Sequence, residues 1–234
     1  MNTLTKFASF VLSAAFLAAS MNLCAAEKTI KLPPPDKAGG KPLMQCLTER
    51  KSERKFDSKP LPPQILSDLL YAADGISRPD GRKTVPTARN LQSQEVYAAM
   101  ADGLYLYHPK THSLDLVKAG DIREKCGMQA IHKTAPIVLI YVGDVSKIGK
   151  NAAEKVFYAA NHAGYASQNV YLYCTSAGLA TVVCGLVNKL PGGERRAQAD
   201  ADMEEMVHEI SGGVKGAGMN AALAVLGVAD SSKS

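Results

Sequence analysis

The sequence predicts an α+β fold in which helices pack against a largely antiparallel sheet. Between Gln94 and Val117, short apolar runs alternate with turn residues, which predicts an antiparallel meander. Ala135–Val142 is a near-continuous apolar run, typical of a central strand buried on both faces. Asn151–Ala177 carries apolar residues mostly three and four apart, which predicts a long helix. Helices interleaved with hairpins favour this fold class.

The first 26 residues have the features of a secretory signal peptide. One lysine precedes an apolar run of about a dozen residues, and small residues lead up to Glu27. Cleavage after Ala26 would leave 208 of the 234 residues, enough for one domain with a sizeable core. Lipoprotein processing at Cys24 is the alternative. We therefore expect an exported, periplasmic protein that contacts a membrane only if it is lipidated at Cys24.

The mature chain begins with an extended arm and two helices. Residues 27–41 are rich in proline and glycine, which predicts the arm, and residues 42–234 then form the domain. Apolar residues from Leu43 begin a helix that ends near Arg50. The stretch Pro60-Leu61-Pro62-Pro63 initiates a second helix, and Gly75 lies past its end.

The remaining elements are shorter. Ser77–Pro86 is rich in turn formers and is interpreted as a loop. A short helix is expected near Asp121–Met128 and a short strand at Ala180–Val183. Asp200–Ile210 is amphipathic, which predicts a helix, and Ala221–Val228 predicts a last apolar strand.

Charge and cysteine content narrow the function classes. The formal net charge of +5 is spread along the chain, and no basic stripe with stacking groups predicts nucleic-acid binding. No Cys-x-x-Cys motif occurs, so we expect free and mostly buried thiols, with a disulfide as the alternative. Four cysteines lie beyond the signal: Cys46, Cys126, Cys174 and Cys184.

Two polar segments could hold a ligand. Arg50, Ser52 and Arg54 offer two guanidiniums and a hydroxyl, which suit a phosphate and an electron-rich ring edge. A solvated basic helix end is the alternative interpretation. Asn90 and Gln92 offer amides that can donate and accept toward a heterocycle. A polar turn that enters a strand is the alternative here.

A third segment, Gly178–Gly185, is a helix-to-strand junction rich in small residues, where backbone N–H groups can approach a flat ligand. Cys184 within it has apolar neighbours and no cation beside it in the sequence. We therefore interpret it as a buried thiol rather than as a nucleophile.

The three segments, in this order, resemble the FMN-binding segments of the nitroreductase family, and the resemblance runs from about Pro42 to Asp230. It implies a three-layer α/β/α sandwich with a mostly antiparallel central sheet. It also implies a homodimer with FMN at the subunit interface. NADH or NADPH would pass hydride to flavin N5, and a small-molecule electron acceptor such as a nitroaromatic or quinone would then be reduced.

The resemblance also implies roles for the polar side chains. Arg50 and Ser52 would contact the FMN phosphate and ribityl chain. Arg54 would reach the pyrimidine edge and stabilise the negative charge that develops at N1 and O2 on reduction. Asn90 would bind the pyrimidine ring, and Gln92 would fix the loop.

The main chain at the third segment completes the implied site. Cys184 and Gly185 would present backbone N–H groups near N5, so Arg54 and Gly185 are the predicted catalytic positions. Lys233 would supply a further phosphate contact. The chain departs from the family where Ser93-Gln94 replaces Pro-Trp, and where Cys184 replaces a side chain that is often charged.

Other functions are weighed against this one. An exported non-catalytic flavin-binding or scavenging protein, or an interaction domain that has lost FMN, is the alternative. His108 and His112 are four apart, but Pro109 prevents helical zinc-ligand geometry, so we expect surface residues of a hairpin and no metal site. The sequence has no Gly-x-Ser-x-Gly elbow, dinucleotide fingerprint or P-loop.

Overall fold

A computed structural model describes residues 28–127, 129–144, 147–148, 151–184 and 229–230 of the chain. Several predictions made from the sequence lie outside these residues. They are the signal peptide at residues 1–26, the helix Asp200–Ile210, the strand Ala221–Val228, and the site residues Gly185 and Lys233.

Five described strands form one antiparallel sheet in the order β1-β4-β3-β2-β5. The predicted meander is confirmed as β2, β3 and β4. The apolar run near Val138 is buried throughout, as predicted, but it lies at one end of this sheet rather than at its centre. The strands are β1 (Thr29–Lys31), β2 (Gln94–Met100), β3 (Gly103–His108), β4 (Ser113–Ala119) and β5 (Val138–Gly143).

The N-terminal arm is extended, as predicted, but its first residues join the sheet. Strand β1 pairs with β4. A strand of three residues is too short to be predicted from periodicity. The arm then crosses the helix Pro63–Asp74 (α2), where the Ser67 hydroxyl donates to the Pro33 carbonyl at 2.6 Å. His112 Nε2 lies 2.7 Å from that hydroxyl. His112 is therefore part of a half-buried contact, and only His108 fits the predicted surface position.

Helices cover one face of the sheet. Helix α1 (Leu43–Glu49) and helix α2 are both confirmed near their predicted bounds. The long helix α4 (Ala152–Ala177) begins where the Asn151 side chain accepts from the Glu154 N–H, and it ends at Gly178, whose φ of 71° requires the left-handed region. Helices α2 and α4 enclose the larger core, which includes Leu69, Leu70, Tyr105, Leu139 and Val170.

Short segments cover the opposite face. The helix predicted near Asp121–Met128 is a 3₁₀ turn at Arg123–Cys126, and a further short helix, α3, follows at Ile131–Thr134. These segments enclose a second core with Ala99, Val138, Ile140, Val182 and Cys184. The sheet thus has a layer on each face, and the predicted α+β class with three-layer architecture is confirmed.

A buried ion pair ties the loop after α2 to the rest of the fold. Lys83 Nζ lies 2.5 Å from the Asp74 carboxylate, and it also donates to the Gln94 carbonyl at 3.3 Å. Burial raises the pKa of Asp74 to about 6, and the charge of Lys83 opposes this shift. The pair fixes the loop that leads into the segment containing Asn90.

Cys46, Cys126, Cys174 and Cys184 are free and buried, as expected. Across the described ranges, no helix has both the length and the hydropathy that a membrane span requires.

Candidate functional site

The segment Arg50–Arg54 begins where helix α1 ends. Arg50 adopts φ −55° and ψ 123°, so the helix stops at Glu49 and the following residues have no regular structure. Arg50 and Arg54 therefore do not share a helix face. The Glu53 N–H donates to the Thr181 carbonyl at 2.9 Å, which fastens this segment directly to the third one.

Tyr171 on α4 is the main link between these two segments, and the sequence analysis missed it. Its hydroxyl lies 2.8 Å from Ser52 Oγ and accepts the Val183 N–H at 2.9 Å. The Arg50 guanidinium lies 5.0 Å from the centre of its ring, within cation–π range. The signal in the sequence was a tyrosine within the predicted long helix, since a tyrosine that becomes buried needs a partner for its hydroxyl.

Arg54 is exposed and lies near Cys184. Among the residues that the structure describes, Arg54 forms no ion pair, so its guanidinium is available to a ligand. Burial raises the pKa of the Cys184 thiol, and the charge of Arg54 partly opposes that shift. The expectation that no cation lies beside Cys184 is wrong, because the folded chain places Arg54 near it. The thiol nevertheless remains protonated at neutral pH.

The third segment is shorter as a strand than predicted. After Gly178, only Leu179–Ala180 (β6) forms a ladder, with Ala229–Asp230 (β7) as its antiparallel partner. Residues 181–184 continue without a ladder. Their main chain is held instead by Glu53 and Tyr171.

The loop that holds Asn90 is backbone-strained. Arg89, Asn90 and Gln92 have φ values of 53°, 55° and 46°, which non-glycine residues rarely adopt. Such conformations cluster at functional sites, where the surrounding structure maintains them. The Gln92 amide donates to the Gly81 carbonyl at 3.0 Å and so fixes the loop, whereas Asn90 is exposed.

This loop has a separate anchor on α4. His162 Nε2 accepts the Ala88 N–H at 2.9 Å. Nine residues separate His162 from Tyr171, which corresponds to about 13.5 Å along the helix and about 2.5 turns. The two anchors thus lie on roughly opposite sides of α4. The structure joins the first and third segments, but in the described residues no hydrogen bond links Asn90 to either.

The donor set suits an organic anion better than a metal. Two guanidiniums, the Ser52 hydroxyl and nearby main-chain groups can bind a phosphate and ring oxygens. Over the described part of the chain, no three His, Cys, Asp or Glu side chains are grouped so that they could hold a metal ion.

A sequence model described as the nitroreductase family matches residues 47–225, well over half of the chain. The chain belongs to the nitroreductase family. This membership supports an oxidoreductase that uses flavin. All three segments lie inside the matched range, whereas Lys233 lies outside it.

Individual relatives agree with this family. A "putative nitroreductase" of Methanocaldococcus jannaschii is 33% identical over 154 residues, which is 61% of this chain and 78% of that protein. A crystal structure from Ralstonia eutropha JMP134 carries the same description and is 32% identical. The match covers 91% of this chain and 93% of that chain, with a TM-score of 0.73. Another from Desulfovibrio desulfuricans, in complex with FMN, is 17% identical, covers 82% and 87%, and has a TM-score of 0.51, a likeness of fold alone.

Replacing Tyr171 by Phe tests the link between the first and third segments. We expect the free energy of unfolding to fall by about 1–2 kcal/mol, because the Val183 N–H loses its acceptor while the ring under Arg50 is kept. Urea denaturation measures the change. Tyr165→Phe is the control, since Tyr165 is exposed and forms no hydrogen bond within the described ranges. Equal stability of the two variants would contradict the assignment.

Proposed function

We propose that this nitroreductase is an FMN-dependent enzyme that passes hydride from NADH or NADPH to a small electrophile such as a nitroaromatic or quinone. One observation carries the proposal. The segment with Arg50, Ser52 and Arg54 is fastened to the main chain at Thr181 and Val183, so phosphate-binding donors and the third segment share one site. The FMN complex of the Desulfovibrio desulfuricans relative supports the choice of flavin.

The available donors fit FMN. Arg50 and Ser52 would hold the phosphate and ribityl chain, and both are positioned against Tyr171 in the first part of the segment. Arg54, exposed and without a carboxylate partner in the described residues, would hold the pyrimidine edge. Asn90 would bind the same ring, and Gln92 would keep the loop in place. FMN itself supplies the hydride acceptor, N5.

The chain's own residues would then act through their charge. The Arg54 guanidinium would stabilise negative charge on the pyrimidine, because a fixed cation needs no reorganisation when that charge develops. Cys184 stays a neutral thiol, so its side chain adds no competing charge. We retain Cys184 and Gly185 as the main chain nearest N5 and Lys233 as a phosphate contact, although Gly185 and Lys233 lie outside the described residues.

A second copy of the chain would complete the site. The Asn90 loop and the Arg50–Arg54 segment are anchored on opposite sides of α4, so one chain supplies only part of the predicted set. Exposed apolar residues on α1 and α4 offer a surface for that copy. They are Leu43, Met44, Leu47, Phe157 and Tyr165, with Met44 at 72% and Phe157 at 61% exposure. The protein is therefore proposed to be a homodimer.

A non-catalytic flavin carrier is the second candidate. It is favoured by Cys184, since a buried neutral thiol stands where family members often have a charged side chain on the substrate side. The two candidates differ in whether bound flavin exchanges electrons.

Flavin spectroscopy separates the candidates. The purified protein should bind FMN, NADH or NADPH should bleach it without oxygen, and a nitroaromatic should restore the colour. Arg54→Gln should slow the bleaching by about 100-fold, because charge stabilisation at the ring is lost. Lys110→Gln, which removes an exposed cation at the β3–β4 turn, is the control. Bound flavin that no nicotinamide reduces would favour the carrier, and a protein that never binds FMN would contradict both.

The dimer is tested by Phe157→Glu. A carboxylate on the exposed face of α4 should convert the dimer to a monomer, because burying it at an interface is costly. Light scattering after size-exclusion chromatography gives the mass. Val117→Glu places the same charge on strand β4, at an exposed apolar residue away from α1 and α4, and should leave the mass unchanged. A monomeric wild-type protein would refute the dimer.

Export is tested by the mature N-terminus. Because the apolar run and the small residues before Glu27 fit a cleaved signal, the protein from the periplasmic fraction should begin at Glu27. Edman sequencing of each fraction measures this. A lipid-modified Cys24 in the membrane fraction would support the anchored alternative, and an intact Met1 in the cytoplasm would contradict export.

A further inference from the structure

The loop from Thr87 to Ser93 needs an external restraint. Three of its non-glycine residues have positive φ, each at a cost of about 1–2 kcal/mol that the surrounding structure must offset. Ser93 and Gln94 stand where the resemblance expects Pro-Trp, so the loop lacks the stiffness that a proline would give. The hydrogen bond from the Gln92 amide to the Gly81 carbonyl supplies one such restraint.

The ring of His162 contacts both ends of this loop. Its Nε2 accepts the Ala88 N–H at 2.9 Å, and its Nδ1 lies 3.3 Å from the Ser93 hydroxyl. His162 and Ser93 are both buried. The ring of Tyr158 stacks on the imidazole, with 6.2 Å between centroids and 26° between planes.

The Ala88 contact fixes the protonation state of the ring. A backbone N–H can only donate, so Nε2 must be without a proton. The neutral ring then has its proton on Nδ1, facing the Ser93 oxygen. An imidazolium has N–H groups on both nitrogens, and its Nε2–H would face the Ala88 N–H with no acceptor between them.

We propose that His162 is a positioning residue that holds Asn90 for flavin binding, and that protonation of its ring releases the loop. The inference rests on the proposed function, because it assigns His162 a role through Asn90. It also explains how this chain tolerates Ser93-Gln94, since the Ser93 hydroxyl and His162 together replace the missing rigid pair.

The electrostatic surroundings leave the ring neutral at pH 7. Burial lowers the pKa of His162 below its ordinary value of 6.5, and no charge among the described residues contributes to the shift. Asp144, whose N–H donates to the Ser93 carbonyl at 2.7 Å, has its carboxylate paired with Lys147 at 2.8 Å. Glu95 accepts from the Tyr97 hydroxyl, and Arg89 is exposed.

The sign of the pH dependence follows from this lowered pKa. A histidine whose folded pKa is depressed gives its full stabilisation above the unfolded pKa, about 6.5, and loses it as the pH falls through the folded value. The loop should therefore be held at neutral pH and released in acid.

The decisive experiment measures FMN affinity by quenching of flavin fluorescence between pH 8 and pH 5. Wild-type affinity should be constant above pH 6.5 and fall about tenfold once the pH is below the point at which the His162 ring titrates by NMR, the effect of one lost hydrogen bond. His162→Gln keeps an acceptor for the Ala88 N–H but cannot take up a proton, so its affinity should stay flat. His162→Phe keeps the stack on Tyr158 without an acceptor, and its affinity should be about tenfold weaker throughout.

His108→Gln is the matched control, because His108 lies at the end of strand β3, partly exposed and paired with Asp115. It should keep the wild-type pH profile. A wild-type acid loss in His162→Gln, or wild-type affinity in His162→Phe, would overturn the proposal. If His162→Phe does not fold, the comparison of His162→Gln with wild type decides it.

A second readout separates this inference from the proposed function. In protein without FMN, hydrogen exchange at the Ala88 amide, corrected for its intrinsic pH dependence, should accelerate as the His162 ring titrates by NMR, and should not do so in His162→Gln. Unchanged Ala88 protection in acid would refute the restraint even if FMN binds. Absence of FMN binding at every pH, with the Ala88 response intact, would refute only the flavin function.

Discussion

The hydroxyl of Tyr171 is the contact on which the candidate site depends. It joins Ser52, which is 119 residues away in sequence, to the Val183 N–H twelve residues further on. The segment after helix α1 has no regular structure of its own, so its position relative to the third segment rests on this hydroxyl and on the Glu53 N–H. An unpaired N–H near the core costs about 1–3 kcal/mol. The same contact that stabilises the fold therefore sets where Arg50 and Arg54 present their charges.

Helix α4 sets the relative positions of the two polar segments that are anchored on it. A continuous helix of 26 residues is stiff, and it holds Tyr171 and His162 at a fixed separation and on opposite sides. The arginine segment and the Asn90 loop are therefore anchored on opposite sides of this helix within one chain. In the proposed homodimer, a ligand that needs both would be served by two chains related by a twofold axis, because each would contribute the half that the other lacks. The exposed Phe157 and Tyr165 on the same helix would supply apolar area for such an interface.

Local patterns predicted the parts of this fold that depend on local physics. The alternation from Gln94 onward predicted the meander, and the helical spacing predicted α2 and α4 within two or three residues. Burial of Val138–Gly143 was predicted, but its place at the end of the described sheet was not, because apolar content does not encode strand order. Tyr171, His162 and the approach of Arg54 to Cys184 were missed for the same reason. Each depends on partners that are far apart in sequence, and no spacing rule connects them.

Asp74 and His162, which both contact segments next to the loop that presents Asn90, contribute to stability with opposite pH dependence. At the end of helix α2, Asp74 has a pKa raised to about 6 by burial, so its contribution to stability is full below its unfolded pKa and is lost as the pH rises through about 6. On helix α4, His162 has a lowered pKa, so its contribution is lost as the pH falls. Acidification from neutral pH thus strengthens the fold at Asp74 while it weakens the hold on Ala88. The two effects partly cancel in the global free energy of unfolding, and a loop can lose its restraint while the protein as a whole keeps its stability.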